Sequence, residues 1–193
     1  MSLPFIGRHA ELQALSKLFK KNSASLVVVQ GRSRIGKSRL IEEFAKKHTF
    51  YQFSGLPPTD ETTLQSQLNE FTRQLSLQTG FPEIYADDWS KLFALLTEKI
   101  KVGRIIVLFD EISWMGSKDP DFLGKLKNAW DLQFKKNPKL IFILCGSVSS
   151  WINKNILSHT GFLGRISYRL TLEELPLNDC NQFWLRGGDH ISS

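Results

Sequence analysis

The sequence predicts an α/β domain of three layers, helices over both faces of a mostly parallel five-stranded sheet, and three observations predict it. Leu26-Val27-Val28-Val29, Ile105-Ile106-Val107-Leu108-Phe109 and Leu140-Ile141-Phe142-Ile143-Leu144-Cys145 are apolar runs of strand length. They do not alternate with polar residues, so both faces of each strand are covered, as in a parallel sheet. The segments between them repeat apolar residues every three or four positions, the pattern of helices that cross back over a sheet. The first run also opens directly into Gly31-Arg32-Ser33-Arg34-Ile35-Gly36-Lys37-Ser38 and then a helical pattern.

Each element follows in order. Leu12, Leu15, Leu18 and Phe19 form an amphipathic helix with a basic end at Lys20-Lys21, and Asn22-Ser23 closes it before the Leu26–Gln30 strand. Leu40, Ile41, Phe44 and Ala45 place the next helix against the sheet. Thr49–Phe53 is a second strand, stopped at Ser54-Gly55-Leu56-Pro57-Pro58. Leu64, Leu68, Phe71 and Leu75 define a helix broken at Thr79-Gly80. Asp87 or Asp88 caps another that carries Trp89, Leu92, Phe93, Leu96 and Ile100. Phe122, Leu126, Ala129 and Trp130 mark a helix stopped before Pro138. Gly161–Arg165 is a turn, and Ile166, Tyr168, Leu170 and Leu172 alternate as a half-exposed last strand. The first strand is expected near the centre of the sheet. Phe183, Trp184 and Leu185 suggest a short final helix, residues 1–186 one domain, and 187–193 a frayed or truncated tail.

The 193 residues suffice for one such domain with a substantial core. The net charge of +6 is uneven: +7 over residues 1–50, −4 over 51–100, +3 over 101–150 and 0 beyond. The basic excess surrounds the glycine-containing turn, as a solvated face, as the surround of an anionic ligand, or as a contact of Arg32, Arg34 and Arg39 with a second phosphate-rich partner such as nucleic acid. Cys145 and Cys180 lack C-x-x-C spacing, and Cys145 lies in an apolar run, so a reduced, cytoplasmic protein is the simplest reading. No apolar run has the length of a membrane span, and the first residues lack the layout of a signal peptide.

Gly31–Ser38 is G-x-x-x-x-G-K-[ST], the P-loop pattern of nucleoside-triphosphate-binding α/β proteins. Its spacing follows from phosphate chemistry. The glycines let backbone N–H groups of Gly31 through Ser38 wrap an anion, the helix that begins near Lys37 turns its positive dipole end to the phosphates, and Lys37 adds a full charge. Ser38 offers a hydroxyl to Mg²⁺. The second strand of the apolar type ends in Asp110-Glu111, the Walker B pattern: Asp110 can hold Mg²⁺ through water or Ser38, and Glu111 can orient and deprotonate an attacking water. The third ends at Gly146-Ser147, where Ser147 either contacts the γ-phosphate or water, or caps a helix at Trp151-Ile152. Asn153-Lys154 continues as Asn155-Ile156 without the Asp that would read guanine, and His9, His48, His159 and His190 have no paired spacing, which argues against GTPase and histidine chemistries.

Phe5-Ile6-Gly7-Arg8 with Glu11-Leu12, the Arg-rich P-loop, Leu108-Phe109-Asp110-Glu111, Cys145-Gly146-Ser147 and Leu163-Gly164-Arg165, in that order, resemble the archaeal-type ATPases of the AAA+/STAND superclass. The resemblance implies binding and hydrolysis of ATP to ADP with Mg²⁺, coupled to conformational change. A nucleotide-dependent switch with negligible turnover is the alternative. It implies that Gly7-Arg8 packs near the adenine, and that the backbone and side chains of Gly31, Arg32, Ser33, Arg34, Ile35, Gly36, Lys37, Ser38 and Arg39 surround the nucleotide. Ser147 falls at the sensor position. Arg165 reaches the γ-phosphate of its own subunit, projects into a neighbour's site as an arginine finger in a homo-oligomer, or makes a surface salt bridge. Such ATPases usually continue into a helical lid and a C-terminal region through which a DNA or protein partner would be engaged, and this sequence ends before either.

Overall fold

The computed structural model describes residue 5 and residues 7–147, 149–158 and 160–175. Among the described residues, five strands form one sheet: β1 (Ser25–Gly31), β2 (Thr49–Ser54), β3 (Ile105–Asp110), β4 (Leu140–Ser147) and β5 (Tyr168–Leu172), in the order β2-β3-β4-β1-β5. Every pairing is parallel. The middle strand is β4; β1 is one place from the edge, because β5 is the one strand added on its other side. The first strand therefore lies beside the middle of the sheet, near the centre as expected.

The unalternating runs are explained by two cores of different composition. Leu26 and Val28 of β1, Val107 and Phe109 of β3, and Phe142 and Leu144 of β4 point to one face, where α3 (Leu64–Thr79), α4 (Trp89–Ile100) and α6 (Phe122–Leu132) cover them. Val27, Val29, Ile106, Leu108, Ile141, Ile143 and Cys145 point to the other, beneath α1 (His9–Ser16) and α2 (Lys37–Ala45). Alternate residues therefore meet apolar surface on both sides.

Local signals hold at several ends. Asp88 caps α4 by accepting from the Ser90 N–H at 2.9 Å, Thr63 and Ser66 form a reciprocal cap on α3, and Gly80 ends α3 at φ 76°. Four details differ from expectation. The α-helix of the first segment stops at Ser16 and tightens into a 3₁₀ turn over Lys17–Lys20. Ile112–Met115 is a single helical turn, α5. Ser150–Ile152, α7, runs into a wide π turn over Asn153–Leu157. Thr160–Leu163 is a further helical turn, α8. Residues 176–193, with Cys180, the expected last helix and the expected tail, lie outside the described residues.

The exposed edge of β2 is closed by α3. The Gln78 side-chain amide accepts from the Gln52 N–H at 2.7 Å and donates to its carbonyl at 2.7 Å. Gln74 does the same at Ser54, at 2.8 and 3.0 Å, and Gln67 at Leu56, at 2.9 and 2.8 Å. Two glutamines thus satisfy outward backbone groups of the β2 edge at Gln52 and Ser54, and a third satisfies those of Leu56 just beyond it.

Candidate functional site

In a parallel sheet all strands end at one side, and Gly31–Ser38, Asp110-Glu111 and Ser147 lie there. Gly31, the last residue of β1, lies in register with Ser147 of β4 and Leu172 of β5. A Cβ at Gly31 would stand 3.1 Å from the Leu172 carbonyl and 3.0 Å from Ile35 Cγ2, a tight fit in which those neighbours would have to shift. Gly36 stands just before α2 with φ 98°, a backbone shape that favours glycine. Between them the loop turns back so that α2 begins directly behind it.

Lys37 is 6% exposed. Its Nζ donates to the Gly31 carbonyl at 2.9 Å and to the Arg32 carbonyl at 2.8 Å, which holds the ammonium inside the curl of the loop. One residue on, the Ser38 hydroxyl donates to the Asp110 carboxylate, joining α2 to the end of β3. The other Asp110 oxygen accepts the Glu111 N–H at 2.9 Å. Glu111 sits in the left-handed region at φ 49° and ψ 52°, and its carbonyl accepts from Trp114 and Met115 at 2.9 and 3.0 Å. A non-glycine residue held there costs of order 1 kcal/mol or more. Burial, reinforced by the Asp110 charge and opposed by Lys37, raises the Glu111 pKa above its ordinary value. Burial, followed by the Asp110 carboxylate, likewise pushes the Cys145 thiol up, so Cys145 is a neutral packing residue.

The remaining candidates are spread around this centre. Arg8 is 8% exposed with a left-handed backbone, bonded to Glu11 at 3.3 Å and to the Ile35 carbonyl at a long 3.5 Å. With Arg32, Ser33, Arg34 and Ile35 it lines an open cleft of about 530 Å³ whose far wall is Glu174 and Leu175. Arg32 is ion-paired with Glu174 at 2.7 Å, both exposed; Arg34 and Arg39 are exposed on the loop and on α2. Ser147 is partly exposed at the end of β4, and the cap at Ile152 comes from Ser149, whose hydroxyl accepts at 3.3 Å. Arg165 lies apart, gripped by Asp131 of α6 through Nε and Nη2 at 2.7 and 2.8 Å and donating from Nη1 to the Gly161 carbonyl at 2.7 Å. That grip holds the Asp131 carboxyl below the usual range. Asp131 and Glu174 were not legible in the sequence: each pairs with a residue 34 or 142 positions away.

The donor set fits a hard divalent cation with a polyphosphate. Ser38 and Asp110 offer oxygens, and among the described residues no cluster of three or more His, Cys, Asp or Glu could hold a metal by itself.

Comparison with known proteins follows the same lines. A solved structure of the Walker-type ATPase PABY2304 of Pyrococcus abyssi is similar with a TM-score of 0.69 and 19% identity, covering 97% of this chain and 59% of that one. The Aeropyrum pernix ORC2 protein in ADPNP-ADP complexes is similar at 0.68 and 16%, covering 97% and 53%. These likenesses show the α/β/α fold. The uncharacterized protein MJECL04 of Methanocaldococcus jannaschii is 26% identical over 183 residues, 93% of this chain and 38% of the relative. The chain thus spans well under two thirds of the length of these proteins. A family described as an ATPase domain predominantly from Archaea matches residues 5–188, and this chain belongs to it.

Proposed function

We propose that the chain binds ATP with Mg²⁺ at the Gly31–Ser38 loop and hydrolyses it, with turnover coupled to a change of conformation. The observation that carries this is the joining of Lys37, Ser38, Asp110 and Glu111 at one end of the sheet through the Ser38–Asp110 hydrogen bond. The loop's N–H groups and the α2 dipole bind the phosphates, and Lys37 supplies charge to them. A Mg²⁺ ion held by Ser38 and Asp110 would supply charge neutralisation to the terminal phosphates. Glu111, next to Asp110 and with a raised pKa, positions a water and accepts its proton. Arg8 and the cleft beside Ile35 receive the base. Ser147 stands where a polar contact to the γ-phosphate or the water is needed.

The reading is tested by Lys37→Ala. Its ATP affinity, measured by equilibrium titration, should fall at least about tenfold, or about 1.4 kcal/mol, while the unfolding midpoint of the nucleotide-free protein is little changed. Unaltered affinity would remove the loop from the binding site.

One observation favours the second reading, a switch that holds nucleotide with negligible turnover. Arg165 is fully engaged by Asp131 and Gly161 within its own chain, so an arginine acting in a neighbour's site has first to leave that pair. Turnover per protomer that rises with protein concentration supports the in-trans role, and concentration-independent turnover removes it.

A further inference from the structure

Because every strand is parallel, every segment leading into a strand lies at the end opposite the phosphate loop. Across four adjacent strands in the order β2-β3-β4-β1, those segments are residues 46–48, 101–104, 133–139 and 20–24. They contain nine lysines and arginines and no aspartate or glutamate: Lys46 and Lys47, Lys101 and Arg104, Lys135, Lys136 and Lys139, Lys20 and Lys21. All eight lysines are exposed. Lys46 and Lys101 pair with Glu43 and Glu98 at 2.7 Å on their own helices, and Lys135 lies 3.8 Å from Asp131. Among the described residues, no carboxylate lies within ion-pair distance of Lys20, Lys21, Lys47, Lys136 or Lys139.

The segments are fastened to one another, so the cations sit on a fixed platform. Arg104 donates to the Lys139 carbonyl at 2.8 Å and to the Phe19 carbonyl at 2.9 Å, with its guanidinium 5.3 Å from the Phe19 ring. Phe19 stacks on Phe44 and meets the His48 ring, with centroids 4.8 and 4.5 Å apart. The Asn137 amide bonds the carbonyls of Ile100 and Gly103 at 2.8 and 2.9 Å. All four segments are tied in this way.

We propose that this basic end of the sheet is a docking surface for duplex nucleic acid, gripping the phosphate backbone without reading base sequence. Four strands at about 4.8 Å spacing spread the cations over about 14 Å, close to the roughly 12 Å width of a major groove, so two phosphate rows come within reach. No aromatic side chain in the four segments is exposed, which removes the stacking platform that single strands need. Val102 is their one exposed large apolar residue, too little for insertion into a lipid surface. The patch lies away from the nucleotide-binding end, so docking leaves the phosphate loop free.

The test compares two charge-reversal triples in the full chain, binding a labelled random-sequence duplex read by anisotropy between about 50 and 200 mM salt. Lys21→Glu with Lys47→Glu and Lys136→Glu should weaken binding at least roughly tenfold and reduce the salt slope by about 3. Unfolding midpoint and ATP titration should be unchanged. Lys118→Glu with Lys154→Glu and Arg169→Glu makes the same change in net charge elsewhere and should stay within about threefold of the parent, since only contact cations release counterions. Lys21→Arg with Lys47→Arg and Lys136→Arg should keep the binding. Equal weakening by both triples, binding by the first triple like that of the parent, tighter binding of a single strand than of the duplex, or binding of anionic vesicles without binding of the duplex would each overturn the proposal.

Discussion

Phe109 and Asp110 are neighbours in β3 and belong to opposite regimes. Phe109 is part of an aromatic layer in which Phe53, Phe71, Trp89, Phe93, Phe122, Phe134 and Phe142 are all buried, joined edge-to-face and in offset stacks. Asp110, one residue on, is part of a polar end where a buried ammonium rests on carbonyls, a hydroxyl meets a carboxylate, and Glu111 is held in a strained backbone. The layer gains from burial and ring geometry, worth about 0.5–1.5 kcal/mol per aromatic pair beyond area. The polar end instead buries the Lys37 ammonium and holds Glu111 in a left-handed backbone, both of which cost stability. The difference teaches that stability and function can be separated here by a single peptide bond, because the sheet's apolar faces stop where its strands stop.

The comparison is broken hardest in the layer. Phe93 is fully buried and meets Phe71, Trp89, Phe109, Phe122 and Phe134 at centroid distances between 5.7 and 6.4 Å. Phe93→Ala should cost about 3–5 kcal/mol in denaturant unfolding. A loss below about 1 kcal/mol would mean that the layer repacks freely and that stability resides elsewhere.

At the polar end the expected change is in rate. Glu111→Gln keeps the shape and removes the base, so turnover should fall by roughly 100-fold or more, about 2.7 kcal/mol, while ATP affinity holds. The parent's acid limb should lie above the roughly 4.3 of a free glutamate, in keeping with the raised pKa, and should vanish in the variant. Wild-type turnover in the Gln protein would put the base at another residue.

The smallest effect belongs to the pair that joins the turn after α8 to α6. Asp131→Asn should cost about 1 kcal/mol at neutral pH, the upper range for a partly exposed pair with bidentate geometry. The sign follows from the lowered Asp131 pKa. The carboxylate's contribution is full above its unfolded value near 4 and is lost as pH falls through the lower folded value. The difference between parent and variant should therefore close in acid, below about pH 4; a difference that persists there would assign the effect to packing.

Much of the candidate site was legible because the P-loop pattern is local in sequence. Gly31, Gly36, Lys37 and Ser38 lie within one turn, and Asp110-Glu111 sits at the end of an unmistakable buried strand. The juxtaposition of Ser38 with Asp110 was expected only through the convention that strand ends converge, and the fold supplies it through the crossovers that order the sheet. Arg165 shows the opposite case: its turn reads as a presented cation, and its Asp131 partner is unreadable from 34 residues away.

By itself the sequence determined the strands, the helices that cover them and the phosphate loop, since burial on two faces and the geometry of a glycine turn are written in neighbouring residues. Only the tertiary structure decided that β4 rather than β1 is the middle strand, that two glutamines of α3 close the β2 edge, and that four separate basic segments form one surface. The physical reason is the same in each case: strand order and edge closure are settled by contacts between distant segments, whose energies depend on packing in space and leave no periodicity along the chain.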